Sequence, residues 1–307
     1  MRRIIVEESQ ANKKLLTFLR LNFKDMPVSA IYKAIRKKNI KVNGKHVKGD
    51  YILQPGDAIE IYVPDNIILG IPLSPAFSVI YEDENIIIVN KGQGLPVHPD
   101  RNQKDNTLID YIKDYLMEKG EYTGEFPDSF PPSLCHRLDR NTGGLIIIAK
   151  NFPALKAVLK KIENNEIKKY YVCLVKGKMD KKEGELRAFL KKDENKSRVF
   201  ISDEKKPGYL KIITRYRVLE YKNDISMLEI ELITGRTHQI RAHLAHIGHP
   251  IVGDGKYGIN SYNRLLKVKK QALWAYKLLF DFKKDDSAIG YLGGKCFQVE
   301  PDWDFKF

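Results

Sequence analysis

The sequence predicts an α+β fold, in which a large domain with a mixed, mainly antiparallel sheet follows a small α+β domain at the N-terminus. From residue 76 onward, runs typical of strands predominate, and the connections between them vary irregularly in length. No regular alternation of strand and helix is present, which argues against a doubly wound sheet. Residues 1–63 hold 13 Lys and Arg against 6 Asp and Glu, and this basic composition separates them from the rest of the chain.

The charge of the chain favours a polyanionic partner. The 307 residues carry a formal net charge of +14, with a pI near 9.4. Such a field attracts nucleic acid, the commonest polyanion, although ordinary solubility charge is the alternative. Half of the net charge lies in residues 1–63, and this uneven distribution favours nucleic acid.

Cysteine usage and hydropathy indicate a reducing compartment and no membrane segment. The three cysteines are far apart and form no Cys-x-x-Cys pair, which predicts neither a zinc site nor a disulfide framework. The N-terminus lacks the apolar core of a signal peptide, and no apolar run approaches the ~18 residues of a membrane span. We expect a soluble, cytoplasmic monomer.

Two short helices open the small domain. One is predicted by a cluster of apolar residues with helical spacing, namely Leu15, Leu16, Phe18, Leu19 and Leu21. Ser29, a favourable N-cap residue, begins the second helix. The buried stripe of this helix follows the i, i+3, i+4 spacing of Ile31, Ala34 and Ile35. Its opposite, basic face consists of Lys33, Arg36, Lys37 and Lys38.

A hairpin follows the second helix. Asn43-Gly44 separates two short alternating segments, residues 40–42 and 45–47, and Asn-Gly is the strongest local hairpin signal. A turn at 54–57 then leads into an alternating strand over 58–63. Basic side chains on the helix and hairpin predict a phosphate-binding surface formed by Lys33, Arg36, Lys37 and Lys45. A solvated helix face is the alternative interpretation.

This order of elements resembles the αL RNA-binding domain, which occurs in a small-subunit ribosomal protein and in many RNA-modifying enzymes. The resemblance covers residues 12–63 and includes the hairpin at 42–45 and the turn at 55–57. It implies binding to structured RNA. Residues 64–75, which contain three prolines, predict a linker, and residues 76–307 form the large domain.

Strand and helix signals can be placed in order along the large domain. Thr107 opens a helix, and Pro153 occupies the first turn of another, where proline is favoured. Apolar or alternating runs predict four strands, at residues 79–81, 86–89, 170–175 and 227–233.

Two apparent motifs favour structural roles. Residues 253–258 match G-x-G-x-x-G, but a proline precedes them and no apolar helix follows, so a dinucleotide site is not predicted. His243, His246 and His249 recur every three residues, as on a metal-binding face. A glycine and a proline beside the third histidine would end such a helix, and no H-E-x-x-H carboxylate is present.

The segment around Asp139 is the strongest indication of chemistry. Asp139 lies between Arg137 and Arg140 on a loop that ends at Gly143-Gly144, directly before an apolar run typical of a buried strand. A carboxylate that is fixed by rigid backbone and flanked by guanidinium groups suits chemistry on an anionic substrate. A structural salt bridge is the alternative interpretation.

Four blocks in this order resemble the RluA-type pseudouridine synthases. They are Asn90–Pro99, His136-Arg-Leu-Asp-Arg-Asn-Thr-Gly-Gly-Leu145, Lys169-Tyr170-Tyr171, and Thr234–Arg241 continuing through Gly248–Asp254. Together they extend over about residues 78–258. Gly143 stands where this family usually has Ser, and Asn141 stands where Asp is common.

The resemblance implies the conversion of an RNA uridine into pseudouridine, which requires no cofactor and no metal. It implies that Asp139 is the catalytic carboxylate and that Arg236 pairs with it. Tyr171 would lie against the target base, where its hydroxyl can relay a proton. Arg137 would fill the space left by the extruded uridine.

The substrate and the activity each have alternatives. The stretch at 190–204 and the small domain most resemble the members that act on large-subunit ribosomal RNA, and tRNA is the other candidate substrate. A non-catalytic RNA-binding or ribosome-assembly factor would not require Asp139, Tyr171 and Arg236, so their presence argues against it. A uridine-releasing glycosidase normally needs a pair of carboxylates, and the motif holds one.

Overall fold

The computed structural model describes residues 1–69, 77–99, 106–124, 130–193 and 197–303. The chain forms two compact units. The first comprises Met1–Pro75 with Ile109–Pro131, and the second comprises Ala76–Leu108 with Pro132–Phe307.

The first unit is a small antiparallel sheet packed against helices. Its described strands are β1 (Arg2–Ile5), β2 (Ile40–Val42) and β3 (Ala58–Ile61), in the spatial order β1-β3-β2. Its described helices are α1 (Leu15–Asn22), α2 (Val28–Arg36), α3 (Asp65–Ile68) and, apart from its first residue, α4 (Leu108–Glu118). Buried side chains of both layers, such as Leu15, Phe18, Ile31 and Ile59, form one core.

Local sequence accounts for the differences from prediction in this unit. Helix α2 begins at Val28, before the predicted Ser29, because the extended backbone of Pro27 supplies the N-cap. Asn43 and Gly44 have φ angles of 51° and 72°, as the predicted Asn-Gly turn requires. The second hairpin strand, predicted over 45–47, is reduced to one bridge at Lys45, since β2 makes its main ladder with β3.

The predicted linker at 64–75 is partly helical. Helix α3 occupies residues 65–68, and Ile68 packs into the core of the first unit. Residues 70–75 lie outside the described residues.

The second unit contains a large, mainly antiparallel sheet. Its described strands are β4 (Phe77–Glu82), β5 (Ile86–Lys91), β6 (Ser133–Leu134), β7 (Gly143–Ala149), β8 (Ile167–Lys176), β9 (Glu183–Asp193), β10 (Arg198–Ser202), β11 (Leu210–Lys222), β12 (Ile225–Leu232), β13 (Leu273–Phe280) and β14 (Cys296–Gln298). The sheet order is β10-β9-β11-β12-β8-β13-β7-β5-β4, with β14 beside β13 and β6 beside β7. The helices are α5 (Phe152–Glu163), α6 (Gln239–His246) and α7 (Asn260–Leu265).

The predicted fold class is confirmed by this architecture. The helix expected from Thr107 is α4, and Pro153 lies in the first turn of α5, where the Asn151 side chain caps the Ala154 N–H at 2.9 Å. The four predicted strands correspond to β4, β5, β8 and β12, although the last was predicted to end at Ile233, one residue beyond β12. All seven residues of β7 are buried, as the apolar run after the Asp139 loop predicted.

Strands β7 and β13 form the one parallel pair among the described strands. Gly144 lies opposite Ala275 with φ 114°, and a Cβ there would come within 2.2 Å of the Ala275 carbonyl oxygen, so only glycine fits. Gly143 lies opposite Trp274, and a Cβ there would lie 2.3 Å from an indole carbon. The buried Trp274 therefore occupies the space that the side chain of a family-typical Ser would need.

The three spaced histidines have separate structural partners, as predicted. His243 Nδ1 lies 3.0 Å from Thr214 Oγ1, and His246 Nε2 lies 2.9 Å from a carboxylate oxygen of Asp203. His249 Nδ1 bonds the Lys176 carbonyl at 3.0 Å. No cluster of potential metal ligands exists among the residues that the structure describes.

Candidate active site

Asp139 lies on a loop between β6 and β7 that distant side chains restrain. The Thr142 N–H donates to the Asp139 carbonyl at 3.1 Å and closes a turn. The buried Gln271 amide donates to Thr142 Oγ1 at 2.6 Å. Gln93 donates to the carbonyls of Asn141 and Gln271, at 2.9 and 2.7 Å. The carboxylate is therefore carried on fixed backbone.

Lys91 supplies a second restraint on this loop. Its side chain is fully buried at the end of β5, and Nζ donates to the carbonyl oxygens of Gly92, Leu95 and Arg140 at 2.9–3.0 Å. Burial lowers the pKa of Lys91 to about 7, although the charge of Asp139 opposes that shift. Because Arg140 directly follows Asp139, this hydrogen bond links the block Asn90–Pro99 to the loop that carries Asp139.

Arg241 orients the Asp139 carboxylate. Its Nη1 donates to Asp139 Oδ2 at 2.7 Å, while Nε and Nη2 donate to both carboxylate oxygens of Asp254 at 2.7 and 2.9 Å. The Asp254 side chain is fully buried and also accepts the N–H groups of Lys256 and Tyr257. The guanidinium is thus fixed between two carboxylates, one of which is itself held by backbone.

The charges of this triad stabilise one another. Burial disfavours the charged form of Arg241, but hydrogen bonds and Coulomb attraction from Asp254 and Asp139 prevail and raise its pKa. Burial also opposes the ionised form of Asp254, yet the Arg241 contact lowers the pKa of this carboxyl. Asp139 keeps access to the pocket, with 18% of its side chain exposed.

The prediction that Arg236 pairs with Asp139 is wrong, because Arg241 makes that contact. Arg236 is exposed before the start of α6 and lines the same pocket. His238 has φ 53° in the left-handed region and turns the chain between the two arginines. Arg241 therefore lies inside α6, with its side chain 9% exposed, and Arg236 does not.

Tyr171 lies on β8 in the wall of this pocket and is 4% exposed. Burial, and then the charge of Asp139, raise the pKa of its phenol. The hydroxyl is therefore protonated at neutral pH and available as a donor. The structure brings Asp139 and Tyr171 together from motifs that are separated by about 30 residues.

His238 adds a neutral donor beside the carboxylate. The Tyr257 hydroxyl accepts the Val199 N–H at 2.8 Å and also hydrogen-bonds His238 Nδ1 at 2.9 Å. Burial lowers the pKa of His238 to about 4, with Asp139 opposing the shift. The ring is therefore neutral near pH 7, and its Nε2 lies 3.9 Å from Asp139 Oδ2.

The pocket in front of these residues has a volume of about 640 Å³. Its lining includes Asp139, Tyr171, His238 and Arg241, and its edge includes the exposed Arg137 and Arg236. A cavity of this size is sufficient for a nucleoside. Cationic side chains at the edge suit a substrate whose remaining part is anionic.

The predicted phosphate-binding residues belong to the first unit. Arg36, Lys37 and Lys45 are exposed, whereas Lys33 is half-buried. Within this unit, burial raises the pKa of Asp114 on α4 to about 6, and the charges of Lys33 and Arg36 oppose the shift. The basic face of α2 is thus partly balanced by carboxylates of α4.

Sequence reasoning missed four residues that complete the site: Lys91, His238, Arg241 and Asp254. All four lie within the blocks that were recognised, so the available signal was a charged or polar residue in those blocks. Spacing alone does not show which of two arginines in one block faces a carboxylate 102 residues away.

The chemistry available here is that of one oriented carboxylate with neutral donors. Asp139 can act on a sugar or a proton, Tyr171 and His238 can donate hydrogen bonds, and Arg241 fixes the reacting oxygen. Glycoside hydrolysis normally uses two carboxylates that flank the bond. The described pocket lining contains one carboxylate besides Asp139, Glu163 at the end of α5, while Asp254 is covered by Arg241.

Comparisons with known proteins identify the family of this chain. A family model described as RNA pseudouridylate synthase matches residues 85–246. An RNA pseudouridine synthase of Mycoplasma capricolum is 33% identical over 310 residues, covering 99% of both chains. Ribosomal large subunit pseudouridine synthase C of Vibrio parahaemolyticus is 30% identical, over 92% of this chain and 89% of that protein.

A solved structure supports the same assignment. The human RNA pseudouridylate synthase domain containing 1 superposes with a TM-score of 0.55 at 25% identity, covering 75% of this chain and 86% of the human one. Among the described helices, none has both the length and the hydropathy to cross a bilayer. The motif order, the Asp139 site and the match over residues 85–246 converge, and the chain belongs to the RluA family of RNA pseudouridine synthases.

Proposed function

We propose that this enzyme isomerises uridines of large-subunit ribosomal RNA. The name of the Vibrio relative supports this substrate, since that protein matches the chain over nearly its whole length. The basic first unit supports a large, structured RNA partner rather than a free nucleoside. Such a substrate places the enzyme in the cytoplasm, where we expect it to act as a monomer without a cofactor.

We assign the catalytic role to Asp139. The observation that carries this assignment is its position at the pocket, on restrained backbone and in direct contact with Arg241. Tyr171 lies against the target base, and Arg241 takes the orienting role once expected of Arg236. Arg236 and Arg137, both exposed at the pocket edge, contact the RNA around the extruded uridine.

Pseudouridine mapping tests the substrate. Ribosomal RNA and tRNA from a strain that lacks this protein would be compared with RNA from the parent strain. We expect one or more pseudouridines to disappear from large-subunit ribosomal RNA and to return when the purified protein is added. Loss confined to tRNA would assign the enzyme to tRNA and overturn the proposed substrate.

Replacing the carboxylate tests the catalytic assignment. Asp139→Asn keeps the size and hydrogen-bonding capacity of the side chain but removes its charge, so we expect pseudouridine formation to be abolished. RNA affinity should change less than about twofold, because Asp139 contributes no phosphate contact. Single-turnover assays and filter binding on the same RNA measure both quantities. Wild-type modification by the variant would refute the role of Asp139.

Salt titration tests the RNA-binding surface of the first unit. Replacing Lys33, Arg36, Lys37 and Lys45 together with Gln should weaken RNA binding and reduce the slope of log K against log salt by roughly 3, at ~0.7–0.9 per lost phosphate contact. Lys283→Gln with Lys284→Gln, at two exposed lysines of the second unit, is the control at another surface and removes two charges instead of four. An unchanged slope in the fourfold variant would exclude this surface.

A further inference from the structure

Lys169 is a buried cation in the pocket wall that the roles above do not use. It is 8% exposed and lines the same pocket as Asp139 and Tyr171. Within the described part of the chain, its ammonium has neither a carboxylate partner nor a hydrogen-bond acceptor. A buried Lys without a partner is costly, because transfer of an unpaired charge from water is unfavourable. Lys161, which is equally buried, differs in that its ammonium pairs with the carboxylates of Asp285 and Glu166.

The position of Lys169 relative to Tyr171 is fixed by the strand. The two residues are separated by one position on β8, so their side chains lie on the same face, ~6–7 Å apart along the strand. The charge of Asp139 affects the pKa of Tyr171, whereas burial alone lowers the pKa of Lys169, to about 8. Both side chains line the pocket that also contains Asp139.

A second donor without a partner lies at this end of the pocket. His136 lines the pocket and senses the charge of Lys169. Its Nε2 accepts the Ile147 N–H at 3.1 Å, so the neutral ring carries its proton on Nδ1. That Nδ1 is inaccessible to solvent and has no hydrogen-bond partner. Two donors at one end of a pocket match a ligand that presents an acceptor there.

We propose that the Lys169 ammonium binds a carbonyl oxygen of the flipped uracil and stabilises the base as an anion when the glycosidic bond breaks. This inference rests on the proposed roles of Asp139 at the sugar and Tyr171 at the base. From C1′, the base extends past Tyr171 toward Lys169; O4 is the carbonyl oxygen farther from C1′, whereas O2 is next to N1. The separation of Tyr171 and Lys169 along β8, ~6–7 Å, is comparable with the dimensions of a pyrimidine ring and its carbonyl oxygens.

The reaction develops negative charge on the base, which such a cation stabilises. When the C1′–N1 bond breaks, both electrons leave with the base, whose negative charge is shared by N1 and the two carbonyl oxygens. The base then bonds to C1′ through C5, loses the C5 proton and regains a proton at N1, so that no atom is gained or lost. An ammonium beside a carbonyl oxygen stabilises the charge where it develops.

The test uses the full-length protein and an RNA that the wild-type enzyme modifies. Lys169→Met removes the charge and keeps the length of the side chain. We expect the single-turnover rate at saturating RNA to fall by about 100-fold, as when one donor to a developing anion is removed, with RNA affinity changed less than twofold. Lys168→Met is the matched control, since Lys168 lies on the opposite face of β8 and pairs with Asp281.

Thio-substituted RNA identifies the atom that is contacted. RNA with 2-thiouridine or 4-thiouridine at the target replaces one carbonyl oxygen with a weaker acceptor. We expect one of the two thio-substituted RNAs to slow the wild-type enzyme markedly and to slow Lys169→Met much less. The thio substitution and the Lys169→Met substitution would remove the same contact, so their effects would not add. Additive effects of both substitutions with the variant would overturn the proposal.

Other outcomes are equally decisive. A weaker affinity with a salt slope reduced by about one unit would make Lys169 a phosphate contact and refute the proposal. Removing an unpaired buried charge should leave the thermal stability of Lys169→Met unchanged or raised, whereas a structural role predicts a loss. If Lys169→Met misfolds, Lys169→Arg must retain the thio effect. If Lys169→Met is fully active on an RNA that the wild type modifies, the role of Lys169 is refuted. If Asp139→Asn is inactive on the same RNA, the catalytic assignment of Asp139 still stands.

Discussion

At the scale of single residues, the proposed catalytic carboxylate, Asp139, depends on a second carboxylate, Asp254. Asp254 is fully buried, holds two nitrogens of Arg241, and leaves the third nitrogen to meet Asp139. Because backbone N–H groups also bind Asp254, the orientation of Asp139 is set by the loop after Gly253. Asp254 is therefore a positioning residue.

Asp254→Asn should separate positioning from folding. The amide presents N–H donors to a guanidinium, so we expect about 3 kcal/mol of stability to be lost, as when a buried ion pair is broken. With the fold intact at low temperature, kcat should still fall by roughly 10²-fold while KM stays nearly constant, because Asp139 is misplaced. Asp285→Asn, which breaks the pair between the exposed Asp285 and the buried Lys161, is the control. An unchanged kcat would contradict the positioning role.

The pair Gly143 and Trp274 explains a departure from the family at the residue scale. We expect Gly143→Ser alone to lose about 1–3 kcal/mol, because its Cβ would overlap the indole ring. Trp274→Leu alone should lose a similar amount or more by leaving a cavity. The double variant should be more stable than the sum of the two losses by at least ~1 kcal/mol. Chemical denaturation of the four proteins measures this coupling, and strict additivity would contradict it.

At the scale of elements, the sequence predicts where helices and strands lie along the chain better than it predicts which strands pair with one another. The buried run of β7, the helix start at Pro153 and the Asn43-Gly44 turn follow from local spacing and turn chemistry, and each is present. The hairpin strand at 45–47 was wrong because pairing of β2 with β3 is a tertiary choice that local pattern does not encode.

The site shows the same limit. The sequence identified Asp139 and Tyr171, since both lie in ordered motifs, and the structure places them in one pocket. It did not identify Arg241 in place of Arg236. The choice between them depends on the left-handed backbone of His238, which histidine adopts only where surrounding structure requires it.

At the scale of the whole molecule, buried neutral histidines should make the enzyme sensitive to acid. Burial lowers the pKa of His238 and of His243 to about 4, from an unfolded value near 6.5. Between these values the unfolded chain binds more protons, so the free energy of unfolding falls as pH decreases from about 6.5 to 4. Each such histidine contributes a slope of at most ~1.4 kcal/mol per pH unit.

His243→Asn tests this slope. His243 is 1% exposed and bonds Thr214, and an Asn amide can retain a contact there without titrating. Denaturation between pH 4 and 7 should show a shallower dependence in this variant than in the wild type. His46→Asn, at an exposed position of the first unit, should leave the dependence unchanged. An equal slope in His243→Asn and wild type would contradict the prediction.

Because β7 pairs with β13, the loop that carries Asp139 lacks several of its supports until the chain has been synthesised to about residue 275. Arg241, Gln271 and Trp274 all lie more than 100 residues after Asp139. At a translation rate of ~5–20 residues per second, the nascent chain carries the catalytic carboxylate without these partners for roughly ten seconds. A pseudouridine synthase that emerges from a ribosome therefore has no assembled active site until β13 has been synthesised as well.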